Sequence, residues 1–350
     1  VSSAISIKVD AQAPAVRPRR AARLTGLLLG VVLLVALSQL SLLVGARAIP
    51  IASALKALFA YDGRSVDHIV IVDYRLPRTL LALLCGAAFG VSGALIQAAT
   101  RNPLADPGIL GVNAGATLCV TLAVGLFGVQ SIHALLWFAF LGAIIITLAV
   151  YSLGATGREG ATPVRLVLAG VALSAVLGGI GSMVTLLNPQ AFDAMRQWAI
   201  GSVAGRAMDV VLAVAPFIGI GLVAALVAAP SLNAVALGDD LACSLGANIL
   251  RARILTLVAV TLLAGAGTAA CGPIGFLGLM VPHVVRWFTG PDQRLIIPMT
   301  MIYAPVLLLI ADIAGRLVLY PGELEAGIVT AFLGAPVLIA LSRRKTASGL

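Results

Sequence analysis

Few side chains in this 350-residue chain could make or break bonds, and their spacing argues against it. The three lysines, Lys8, Lys56 and Lys345, follow Ile7, Leu55 and Arg344 rather than glycine. No phosphate-cradling Gly-Lys-Ser/Thr loop is therefore present, and the chain does not hydrolyse ATP by that route. Cys85, Cys119, Cys243 and Cys271 lack the short paired spacing of a disulfide framework, a zinc site or an iron–sulfur site, and read as small packing residues. His283 stands alone near Arg286, which suits a structural hydrogen-bonding group better than an iron or haem ligand. No nucleophile is paired with a base, so neither a catalytic nor a metal site is expected.

Ion-pair and helix-end chemistry remains. Arg75-Leu76-Pro77-Arg78 opens one apolar run, and Asp312 with Arg316 closes another at the i, i+4 spacing of a single helix face. Two readings stay open at this point. The arginines either snorkel and pair locally at a membrane interface, or form a docking surface for a partner's acidic side chains, because guanidinium grips carboxylate through two parallel bonds. Asp239 and Asp240 suit the electropositive start of a short helix over residues 241–245, and Gly246 suits its left-handed stop. The segment 231–252 is expected as two short helices broken by glycine, either a protruding knob or an interfacial loop.

The elements that must hold these residues follow from composition. The chain is 60% hydrophobic and 11% charged, against about 25% charged in soluble domains. Disorder and a soluble multidomain enzyme are excluded, and a β-barrel would alternate apolar with polar residues. Apolar runs near the roughly 20 residues that cross a bilayer as helix occur at 24–45, 76–99, 109–128, 132–153, 164–187, 207–229, 254–271, 274–289, 295–319 and 326–342. The fold expected is an all-α polytopic membrane protein with ten transmembrane helices. The run 274–289 is the weakest, being short and interrupted by Pro282; Gly272, Gly275 and Gly278 followed by Pro282 predict an irregular or broken helix. Residues 1–23 form a flexible tail, 24–345 the transmembrane domain and 346–350 a second tail. Ala46-Arg47-Ala48 mimics a signal-peptidase site, but the run before it exceeds the roughly 7–15 residues of a signal core and is kept as a span. Small pairs such as Gly86 and Gly90 recur at helix-packing intervals and predict a compact bundle.

Net charge is +9, a surplus that on its own fits nucleic acid, an anionic surface or membrane orientation. Sorted by loop, fifteen of the 23 cations and six of the 14 acids fall on one face, leaving eight of each on the other. The whole excess lies on one face. The positive-inside bias makes that face cytoplasmic, with both termini on it, and no nucleic-acid partner is expected.

Several motifs, in order and at family spacing, resemble the permease family of binding-protein-dependent ABC importers for iron-siderophores, haem and cobalamin (FecCD-type). They are Arg75 to Leu80, Gln97 with Arg101 to Gly111, Leu237 to Gly246, Gly272 to His283, and Leu333-Gly334-Ala335-Pro336. The resemblance runs from about residue 24 to residue 345. It implies the type II importer permease fold in the bacterial inner membrane, a second permease subunit as homo- or heterodimer, two cytoplasmic ATPase subunits that bind ATP and Mg, and a periplasmic or lipid-anchored binding protein. No cofactor is implied in this chain.

The same resemblance assigns roles by position. Arg75, Arg78 and Arg316 would dock glutamates of the binding protein. Gly238, Asp239, Asp240, Leu245 and Gly246 would seat on the ATPase. Asn102, Pro103 and Leu104, with Thr162, Pro163 and Val164, would form the cytoplasmic gate, where Pro163 departs from the hydroxyl-rich cobalamin version. Stretches 92–116 and 187–202 look most like the ferric-enterobactin branch, which points to a catecholate ferric-siderophore as substrate. A haem or cobalamin permease is the alternative within the family. An ion-gradient carrier is disfavoured by the lack of mid-membrane carboxylates, and a membrane enzyme by the lack of a reactive cluster.

Overall fold

The computed structural model describes residues 20–343 apart from 46, 157–161, 245 and 321, so most of the expected N-terminal tail and all of the C-terminal one lie outside the described residues. Helix α1 (Arg20–Leu43) is followed by α2 (Ile51–Phe59) and α3 (Val66–Ile69). A π-helical turn, Val70–Arg75, then feeds α4 (Leu76–Thr100), and a tight 3-10 turn, Pro107–Leu110, leads into α5 (Val112–Phe127). The chain continues as α6 (Ile132–Gly154), α7 (Pro163–Leu187), α8 (Pro189–Trp198), α9 (Met208–Ala236) and α10 (Asp239–Ser244). It ends in α11 (Ile249–Cys271), α12 (Leu277–Thr289), α13 (Gln293–Val318) and α14 (Ala326–Arg343), with no strand among the described residues.

Every one of the ten apolar runs contains a helix. Among the described residues, seven helical stretches are long and apolar enough to cross a membrane, while α5 and α14 are shorter apolar helices and α12 has 13 residues. The protein is a multi-pass membrane protein. Exposed Leu28, Val32, Leu168, Val171, Met183 and Phe332 on α1, α7 and α14 fit a lipid-facing or subunit-facing surface, where the backbone is satisfied within each helix.

The centre is α4, which packs on α9, α11, α12 and α13. Apolar side chains gain little by leaving lipid for protein, so close packing needs small residues that let backbones approach. A methyl group on Gly86 would sit 2.6 Å from the Pro305 Cα, and one on Gly93 would collide with the Gly278 carbonyl. Gln97 ties the same crossing, donating from Nε2 to the carbonyls of Gly278 at 3.0 Å and Leu279 at 3.3 Å.

One local expectation needs correction and a second is refined. Helix α9 does not stop near residue 229 but runs through Pro230 to Ala236, so the first of the two expected short cytoplasmic helices is its continuation. The Ala and Leu residues around Pro230 favour helix, and a single missing N–H does not end it. Irregular backbone near Pro282 is confined to residues 272–276, with Gly272 at φ +75 and Phe276 at φ +67. Helix α12 starts at Leu277 and passes through Pro282.

Candidate functional site

At the bundle end with balanced charge, the π-helical turn and the first turn of α4 place Arg75 and Arg78 beside the end of α13, which carries Asp312 and Arg316. Helix α1 stops nearby, and its last carbonyls have no intrahelical donor. Arg75 supplies one, donating from Nη1 to the carbonyls of Leu42 at 2.9 Å and Leu43 at 2.7 Å; Arg316 does the same for Ser41 at 2.7 Å and Val44 at 3.0 Å. These two arginines are only 6% and 3% exposed. Buried charge demands partners. Asp312, 1% exposed, meets Arg78 at 2.8 Å and also pairs with Arg316, while the other side of Arg78 reaches Glu323 at 2.7 Å.

The three arginines therefore converge as one cluster, but their guanidinium groups are engaged within the chain. They line a cavity of about 410 Å³ together with Arg47, Arg206 and Glu323. Sequence reasoning did not single out Arg206. It donates from Nε to the Ala270 carbonyl at 2.9 Å and also lines an adjoining cavity of about 490 Å³ with Trp198 and Glu325. The only signal was its position in a glycine-containing loop between α8 and α9.

At the basic end, Gly238 at φ +110 and Gly246 at φ +78 bracket α10. The helix begins at Asp239, two residues before the expected start, and carries Asp239 and Asp240 in its first turn, where they favour the positive end of the helix dipole. Leu237 and Leu241 are exposed on this segment, and Leu245 lies outside the described residues. Asp239 receives Arg253 of α11 at 2.7 Å and also pairs with Arg101, the residue that ends α4.

The turn after α4 is held locally: Asn102 Oδ1 accepts from the Leu104 N–H at 3.0 Å. Asn102 and Leu104 are exposed and Pro103 is half-buried. The Thr162 hydroxyl caps α7 by accepting from the Arg165 N–H at 3.4 Å; Pro163 is the first residue of α7, and Val164 is exposed. Helix α7 packs on the turn at 107–110, where Gly170 lies against the Ile109 carbonyl. Asp106 caps that turn, accepting from the Gly108 N–H at 2.8 Å. Burial pushes its carboxyl up from the usual range, and the Gly108 bond pulls the other way.

The remaining chemistry-bearing residues form no cluster of three metal-ligating side chains among the described residues. His283 packs its ring edge-on against Trp287 at 5.9 Å. Cys85 and Cys271, 186 positions apart, bring their sulfurs to 3.1 Å in the buried core, a proximity that linear spacing does not reveal. Cys119 is half-buried and Cys243 exposed.

The sequence pattern of the FecCD transport family matches residues 33–344. The chain belongs to the FecCD transport family. It is similar to the ferric enterobactin transport system permease protein FepD of Escherichia coli, 47% identical over 330 residues covering 94% of this chain and 97% of that one. It is also similar to the Fe(3+)-citrate import system permease protein YfmD of Bacillus subtilis, 38% identical over 93% of this chain and 96% of the relative. A solved structure described as an inward-facing metal-chelate type ABC transporter superposes with a TM-score of 0.80 at 26% identity, covering 92% of this chain and 99% of that one. The fold is accordingly that of an ABC importer permease, and this FecCD chain is a transport subunit. Its most evident polar constructions are the arginine cluster at one end of α4 and the Asp239 contacts at the other.

Proposed function

We propose that this FecCD chain is the inner-membrane permease subunit of an ATP-driven, binding-protein-dependent importer that moves a ferric-siderophore, of the catecholate type, into the cytoplasm by alternating access. The observation that carries the substrate is the 47% identity over nearly the full length to a ferric enterobactin permease. Ten membrane crossings, with both termini cytoplasmic, fit the presence of a helix in each of the ten apolar runs and the one-sided charge excess.

The importer would contain a second permease subunit, two cytoplasmic ATPase subunits binding ATP and Mg, and a periplasmic or lipid-anchored binding protein. The missing Gly-Lys-Ser/Thr loop supports an external ATPase. Its seat would be α10 with its flanking glycines: Gly238, Asp239, Asp240, Leu245 and Gly246. Exposed Leu237 and Leu241 offer apolar contact there. Asn102 to Leu104 and Thr162 to Val164 would form the cytoplasmic gate. The binding protein would dock at the other end over Arg75, Arg78 and Arg316, meeting first the exposed rim made by Arg47 and Glu323.

The test is reconstitution of the chain with its ATPase and binding protein in vesicles, comparing uptake of ferric-enterobactin, Fe(3+)-citrate, haem and cobalamin. ATP-dependent uptake of ferric-enterobactin above the others is expected. Uptake of haem or cobalamin alone overturns the substrate, and uptake driven by an ion gradient without ATP overturns the importer.

A further inference from the structure

Arg101 caps α4 in the way glycine usually does: its N–H bonds the Ala98 carbonyl at 3.4 Å, and that of Asn102 bonds the Gln97 carbonyl at 3.2 Å. It is the residue between α4 and the turn Asn102 to Leu104, and it stands at φ +52, a left-handed conformation uncommon for a residue with a side chain. Such a conformation persists where surrounding contacts hold it. Beyond those backbone bonds, the side chain is held by α9 and α10: Nε donates to the Val235 carbonyl at 2.8 Å, and Nη2 pairs with the carboxylate of Asp239. The second oxygen of that carboxylate takes Nη2 of Arg253, from α11, at 2.7 Å. One carboxylate in the first turn of α10 is thereby shared between the end of α4 and the start of α11.

The surroundings of α10 give this arrangement mechanical meaning. Gly238 and Gly246 stand in left-handed conformations at either side of the helix, with no side chain or backbone within 4 Å of where a Cβ would lie. A six-residue helix between two such glycines could swing while its neighbours stay put. A push on α10 would then be absorbed at the two glycines. The Asp239 pairs are the bonds that pass it onward.

We propose that Arg101 and Arg253 are positioning residues for coupled transport: through Asp239 they make α10 and the turn after α4 move as one body, so that displacement of α10 reaches Asn102, Pro103 and Leu104. This rests on reading α10 as the seat of the ATPase and the turn as part of the gate.

Arg101→Gly tests it, because glycine accepts the left-handed backbone while the whole side chain, with the guanidinium that reaches Asp239, is removed. In the complete reconstituted importer, Arg101→Gly is expected to lower ferric-enterobactin transported per ATP hydrolysed at least threefold, with ordinary membrane accumulation and continued ATP hydrolysis. Asp239→Asn should give a similar loss, and the double variant no more than the worse single one, since all three remove one linkage. An unchanged ratio in Arg101→Gly, or losses that multiply in the double variant, overturns the inference.

A second measurement does not depend on transport. Spin labels at native Cys243 and at Leu104→Cys, in a Cys119→Ser background, should report a narrow distance distribution in the otherwise intact chain and a broader one with Arg101→Gly. Equal widths overturn the linkage even if the importer transports something else. If the wild-type complex couples ATP to uptake normally while Arg101→Gly changes neither readout, the positioning role fails and the importer reading stands.

Discussion

Arg78 of α4 and Asp312 of α13, 234 positions apart in sequence, meet at 2.8 Å in a site where Asp312 is 1% exposed and also pairs with Arg316. The pair joins the two most extensively packed helices of the bundle at one end. A carboxylate in an apolar span invites reading as an ion relay, but this one is neutralised by two guanidinium groups and holds structure together.

Asp312→Ala should therefore cost stability. Removing one member of a buried ion group leaves the others uncompensated, at about 3–5 kcal/mol. The expected outcome is a marked fall in membrane accumulation and in the unfolding temperature of the purified protein. Asp312→Leu combined with Arg316→Met should be milder than Asp312→Ala alone, because no buried charge of that pair is stranded. Accumulation and melting of Asp312→Ala equal to wild type would remove the structural role.

The close crossing of α4 and α12 gives a prediction whose sign opposes helix propensity. Gly to Ala inside an unconstrained helix stabilises by about 1 kcal/mol. At Gly93 the added methyl would strike the Gly278 backbone, and overpacking costs about 1–3 kcal/mol. Gly93→Ala should lower the unfolding temperature, whereas Gly219→Ala, whose added carbon meets nothing within 4 Å, should not. A rise at Gly93 would show that the two helices are not in contact there.

Much of this architecture was legible in the sequence because it is written in composition. Apolar run length and loop charge depend on local residues, so the helices of the apolar runs, their order and the two chemically distinct ends could be read directly, while the short helices α2, α3 and α8 between them carry no such run. Gly246 as a left-handed stop was legible for the same reason, since backbone demands act on a single residue. Cys85 near Cys271 and Arg101 bridged to Asp239 were not, because distant pairings depend on helix crossings that no local pattern encodes. Arg75 and Arg316 show a subtler limit. Their type left local pairing and docking both open, and only the family resemblance pointed to an acidic partner; the structure commits much of their donor capacity to the last carbonyls of α1, a need visible only once α1 is known to end beside them.

Asp106 gives a pH dependence outside the spans. Its carboxyl is raised above the usual 3.8 by burial, against the opposing Gly108 bond. The folded state then holds a proton that the unfolded state has released, so this group's contribution to stability falls as pH rises from 3.8 through the raised folded value and is constant above it. Asp106→Asn keeps an acceptor for the Gly108 N–H and removes the titration. Its stability should lack that decline and at neutral pH should equal or exceed wild type. Unfolding followed across acidic pH checks this, and identical profiles for the two proteins would discount the buried carboxyl.

Gly246 separates backbone conformation from contact. Its φ of +78 is disfavoured for residues with a side chain, at about 1–2 kcal/mol, yet an added Cβ would meet nothing within 4 Å. Any defect in a variant therefore comes from the turn or from a partner seated on it rather than from a clash inside the chain. Gly246→Val, β-branched and poorly suited to the left-handed region, should insert into the membrane normally but lose most ATP-driven uptake. Gly246→Asn, which tolerates that region, should retain most of it. Uptake with the reconstituted importer, set against the amount of each variant in the membrane, distinguishes them. If valine supports full uptake, the turn at Gly246 has no part in coupling; if both variants fail equally, the requirement is for open space against the ATPase rather than for the backbone angle.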